Sequence, residues 1–158
     1  MDSDRDLLRH CLATLAYRAS KALRDPPPGF AAFRAGPTTR TPIEILSHLG
    51  DLMAWGRNLA EGEHVWHESE ANDWSEQITR FYANLAACDA YLVSGEQLGY
   101  PPAKLLQGPV ADALTHVGQI SMLRRLAEAP VKGENYFKAE ITVGRLGPDQ
   151  PTAKYEFD

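Results

Sequence analysis

Trp74-Ser75-Glu76-Gln77-Ile78-Thr79-Arg80-Phe81-Tyr82-Ala83-Asn84-Leu85-Ala86-Ala87-Cys88-Asp89-Ala90-Tyr91-Leu92 is the most regular stretch of the sequence. Trp74, Ile78, Phe81, Leu85, Cys88 and Leu92 follow one another at steps of 4, 3, 4, 3 and 4 residues. That spacing predicts one apolar helix face, a seam for packing against other helices. Asp73, three residues before Glu76, has the form of a capping box, so the helix is expected over 73–93. Cys88 lies inside the seam and reads as a buried structural thiol rather than a nucleophile.

Three more segments share this pattern. In 42–60 the face is Ile45, Leu46, Leu49, Leu52, Met53 and Leu59, and Pro42 suits a first helical turn. In 4–23 it is Leu8, Cys11, Leu12, Leu15, Ala19, Ala22 and Leu23, with Ser3 as the expected N-cap and His10 on the solvent side. In 103–127 one stripe holds Leu105, Pro109, Asp112, His116, Ile120, Leu123 and Ala127. Proline- and glycine-rich punctuation separates the segments at 25–42 and 95–102, with an acidic stretch at 61–73. The expectation is an all-α fold, a four-helix bundle forming one domain over 1–158. The first and third connections are long enough to cross the bundle, so simple up-down order is not assumed. After Pro130, Ala139-Glu140-Ile141-Thr142-Val143-Gly144 and Lys154-Tyr155-Glu156-Phe157 alternate. They suggest a short hairpin or an extended C-terminal arm over 131–158, of the kind that packs on a second subunit.

Length and composition agree with one soluble domain. The chain has 158 residues, 44% hydrophobic and 23% charged, with a formal charge of −5. That charge argues against a nucleic-acid surface, and no stretch approaches a membrane-spanning helix. The acidic Met1-Asp2-Ser3-Asp4 start has no apolar run behind it, and Cys11 and Cys88 form no metal or disulfide motif. A cytoplasmic setting is the expectation.

Two ionisable residues on the apolar stripe of the last segment are the anomaly. Asp112 and His116 are one helical turn apart, so their side chains stack. Buried without a partner, each is costly. Either they satisfy each other as an intrahelical pair, or a divalent ion takes both. Carboxylate oxygen and imidazole nitrogen both ligate such ions. A third ligand would come from His48, at the edge of the apolar face of 42–60. The set His48, Asp112, His116 leaves coordination positions open, the catalytic rather than the structural pattern. Glu44, one turn before His48, is either a further ligand, a group orienting His48, or a solvated first-turn glutamate. Gln119, one turn beyond His116, could orient that imidazole. His64-Val65-Trp66-His67-Glu68 reads as an acidic loop at an entrance. The sequence contains no phosphate-binding loop and no nucleophile elbow.

Thr41-Pro42-Ile43-Glu44-Ile45-Leu46-Ser47-His48-Leu49, followed by Trp55, and Asp112-Ala113-Leu114-Thr115-His116-Val117-Gly118-Gln119-Ile120 together resemble the DinB/YfiT-like superfamily. The resemblance covers the four helical segments, up to about Pro130. It implies a four-helix bundle, often a homodimer, with a divalent metal held by a histidine of helix two and a His-x-x-x-His pair of helix four. It also implies a metal-dependent enzyme using a low-molecular-weight thiol. His48 and His116 fall at two of the three ligand positions. Asp112 stands where the pair's first histidine would be. A carboxylate there lowers the site's charge by one, weakens the Lewis acid, and tilts the choice from zinc toward iron, manganese or nickel.

Two functions follow as expectations. One is a metal-dependent thiol transferase or hydrolase acting on a small electrophile, with His48, Asp112 and His116 as ligands and no general base assigned. The other is a non-catalytic bundle with a lapsed metal site, binding a small molecule or partner in a pocket beside Trp55.

Overall fold

The computed structural model describes residues 2–158. Four long helical stretches form the body. These are α1 (Ser3–Leu23), α2 (Pro42–Ala60), α3 (Trp74–Ser94), and a composite stretch of α4 (Pro102–Leu105), a π-helical turn (Leu106–Val110) and α5 (Ala111–Leu126). The helix starts have local causes. The Asp73 carboxylate accepts from the Glu76 amide at 3.0 Å. Thr41 and Glu44 form a reciprocal capping box: the Thr41 hydroxyl accepts from the Glu44 amide, and the Glu44 carboxylate accepts from the Thr41 amide. The N-cap of α1 is Asp2 rather than the expected Ser3, because its carboxylate reaches the Asp4 amide at 3.1 Å.

The helices form a closed ring around one core. The α2–α3 pair is the most extensive, α1 packs on α3 and α5, and α5 packs on α2. Consecutive α1 and α2 therefore lie diagonally opposite, as do α3 and α5. Both long connections carry the chain across the bundle. Leu12, Leu15, Leu46, Leu49, Met53, Phe81, Leu85 and Ile120 fill the centre and are essentially inaccessible. Charged pairs brace this core. Buried Asp51 of α2 accepts from Arg80 of α3 at 2.8 Å, and Arg9 of α1 grips Asp89 of α3 through two bonds of 2.9 and 3.2 Å. Arg124 donates to the carbonyls of Ala22 and Arg24, so its cation caps the C-terminal end of α1.

The last helical stretch departs from the expected stripe. Pro109 lacks an amide hydrogen, and the chain widens into a π turn around it. The wider turn breaks the regular phase across 106–110. The buried apolar line of α5 keeps Ile120 and Leu123 of the expected stripe but runs through Ala113 and Val117 in place of Asp112 and His116. Those two therefore flank the core instead of sitting within it, and the Asp112 side chain is 47% exposed.

The arm also differs. Ala139–Gly144 is not a strand. Gly133–Glu134 (β1) pairs antiparallel with Glu156–Phe157 (β2), Gly133 opposite Phe157 and Glu134 opposite Glu156. The cause is Glu134, whose buried carboxylate accepts from Tyr17 at 2.6 Å and from Lys21 at 3.0 Å. Lys21 also reaches Glu156 at 3.1 Å, and Tyr136 packs edge-on against Tyr17. The arm thus docks on α1 through a buried ionic knot.

Candidate metal centre

His48 lies midway along α2, and Asp112 and His116 lie one turn apart at the start of α5. Because α2 and α5 are neighbours, the three side chains converge. Each can offer one ligand atom, and these atoms all lie within 4.8 Å of one another. Asp112 stands between the imidazoles: Oδ2 is 3.6 Å from His48 Nε2, and Oδ1 is 3.4 Å from His116 Nε2. The two rings meet edge to face, with centroids 4.7 Å apart.

These distances bear on whether an ion fits. They exceed the roughly 2.7–3.2 Å of an ordinary N–H···O hydrogen bond. They match the edge of about 3.3 Å between neighbouring donors around an ion with bonds near 2.0–2.1 Å. The tautomer points the same way. His116 Nδ1 lies 2.7 Å from Gln119 Oε1. That oxygen is an acceptor only, so Nδ1 carries the hydrogen, and in the neutral ring of that tautomer Nε2 is the nitrogen with the free lone pair, on the Asp112 side. A divalent cation between that lone pair and the carboxylate would satisfy both, as would a proton on Nε2. Gln119 is thus the hydrogen-bond partner of the His116 ring at the nitrogen away from Asp112.

His48 is held below the ordinary histidine value, first by burial and then by the charges of His116 and Arg40, against the opposing pull of Asp112. The neutral ring that results near pH 7 is the ligating form. Glu44 does not join the group. Its carboxylate accepts from the Thr41 amide at 2.7 Å and lies 3.9 Å from Arg34, so the helix start has claimed it. The structure places Glu44 in the cap of α2 and does not bring it to His48, Asp112 and His116.

Trp55 lies beside Gly108 of the π turn. It packs at a tilt on His64 at 5.7 Å and edge to face on Trp66 at 5.8 Å, and Trp66 packs on His48 at 5.4 Å. The 61–73 connection thereby lays an aromatic cover over one side of His48. His67 is not part of the centre. Cys11 is half-buried, with its thiol pushed up by burial, and burial pushes Cys88 up to about 12. Neither thiol joins the centre.

Two clefts share His48, Thr39 and Arg40. One, of about 730 Å³, is polar and lined by Arg34, Thr41, Ser47, Asp51 and Glu68 among others. The other, of about 620 Å³, runs along α5 past His116 and Gln119 to Met122, Leu123 and Leu126, with Ile45 opposite. Arg40 went unnoticed in the sequence because it lies in an aperiodic connection. Trp66 was seen there only as part of a loop.

No family model matches the chain, and no curated protein or solved structure matches it significantly.

Proposed function

We propose that the chain is a divalent-metal-binding protein of DinB-like type, and that His48, Asp112 and His116 hold the ion. We propose further that it is a metal-dependent transferase or hydrolase for a small electrophile, with a low-molecular-weight thiol or water as the nucleophile. The observation that carries the reading is the convergence of three ligating side chains from two neighbouring helices, with Asp112 between two imidazole Nε2 atoms. A bound divalent ion would supply Lewis acidity, keeping a thiol or water as its anion near neutral pH.

The chain's own residues do the rest. Gln119 holds the His116 proton at Nδ1 and so keeps Nε2 free. Asp112 supplies the negative charge that offsets a dication. Trp66 shields His48 from solvent on one face. Arg40, at the junction of both clefts, attracts anionic groups toward the centre.

The test is metal content by plasma mass spectrometry on tag-free protein that has never met a nickel column. Near-stoichiometric metal, lost in both His48→Ala and His116→Ala, is the expected result. A folded protein that stays empty when offered zinc, iron, manganese and nickel overturns the reading. The non-catalytic alternative has one observation in its favour: an apolar cleft lies beside the triad and needs no ion to bind a ligand.

A further inference from the structure

The cleft along α5 has an uneven chemistry. Ile45, Met122, Leu123 and Leu126 make its walls. Met122 and Leu126 are 59% and 55% exposed, far more than the apolar residues of the same helix that face the core. At the other end stand His48, His116 and Arg40. Arg40 is the one permanently charged residue lining the cleft, and no carboxylate lines it. Among the described residues Arg40 makes no ion pair and no hydrogen bond, whereas nearby Arg34 is engaged by Glu44 and the Thr39 carbonyl. The volume, about 620 Å³, falls within the roughly 300–1,000 Å³ of small-molecule sites.

We infer that this cleft takes a small amphipathic anion, with an aliphatic or aromatic body along α5 and one carboxylate-like end at Arg40. The argument is complementarity. The walls offer apolar area that an occupant removes from water, and among the described residues the charge at the end has no carboxylate in ion-pair contact, Glu44 sensing it only through space. Length sets the order of contacts: a body lying on Met122 and Leu126 places its polar end beside His48 and His116. Calling this molecule the substrate rests on the metal-centre reading above, but its binding does not.

The test uses octanoate, octanol and octylammonium as probes, titrated into the intact chain by calorimetry at constant ionic strength. Each is measured on chelator-treated and on metal-supplied protein. Octanoate is expected to bind chelated wild type one to one and about tenfold more tightly than octanol, as a charge-assisted contact implies. Octylammonium is expected to bind worst. Arg40→Ala, an exposed loop substitution, should erase the preference for octanoate and leave octanol binding in place. Met122→Ser, also exposed, should weaken both. Equal binding of octanoate and octanol overturns the inference, as does a preference that survives Arg40→Ala. So does the absence of binding by every probe, including the case where sedimentation shows a second copy covering the cleft. A chain that binds octanoate but no metal leaves this inference standing and removes the metal centre. A chain that binds metal but no octanoate does the reverse.

Discussion

At the residue scale, Gln119 is the most informative position. Among the described residues its side chain hydrogen-bonds only to His116, and it is itself exposed, so replacing it leaves the core alone. Gln119→Ala should weaken metal binding about 10–100-fold while the unfolding midpoint of the chelated protein stays unchanged. Competition against a chelator of known affinity measures the first, and a thermal melt the second. Loss of His48 or His116 should do more. At a metal concentration 100 times the wild-type dissociation constant, about 2.7 kcal/mol of linked stabilisation should vanish from His48→Ala, read as a melt that chelator no longer shifts. His48, Asp112 and His116 were legible because helical spacing projects onto space. Glu44 was ambiguous because the same spacing serves a helix cap, and sequence does not say which demand a carboxylate answers. Arg40 and Trp66 were hidden because a connection without period gives no direction to its side chains.

At the element scale, the start of α2 and its seam with α3 are the vulnerable points. The capping box holds Glu44 below the ordinary carboxylate value of 4.5, mainly through its bonds to Thr41. A lowered folded-state value means stability that is present above 4.5 and is lost as pH falls through the lower value. The melting difference between wild type and Glu44→Gln should therefore be widest near about pH 6 and close toward about pH 3. Deeper in α2, a Cβ at Gly50 would come within 2.7 Å of the Arg80 guanidinium. That group is pinned by Asp51 and the Ser47 carbonyl, so it has little room to retreat. Gly50→Ala should cost about 1–3 kcal/mol in denaturant unfolding. The helix bounds were readable to within a residue or so because caps and prolines mark them. The π turn was not, since Pro109 marks an irregularity without saying whether the chain kinks, stops or widens.

At the scale of the whole molecule, the arm is held by one buried knot. Burial tends to lower Lys21, but its bonds to Glu134 and Glu156 outweigh this and its value is raised above 10.5. A raised value means stability fully present below 10.5 and lost as pH rises through the higher folded value. Lys21→Ala leaves the Glu134 carboxylate, fully enclosed, with Tyr17 alone. It should cost about 3–5 kcal/mol and expose the 135–158 segment to limited proteolysis before the helices are cut. The alternation in 154–157 pointed to a strand, but its partner was misread, because a single buried glutamate outweighs a longer alternating run. The aromatic cover has a consequence for how the protein can be watched. Of the three tryptophans, Trp66 alone rests on His48, with Trp55 against Trp66, while Trp74 packs on Phe30. Indole emission from Trp66 then becomes a built-in optical gauge of the triad, in which cobalt or nickel should dim the signal and colourless zinc should not.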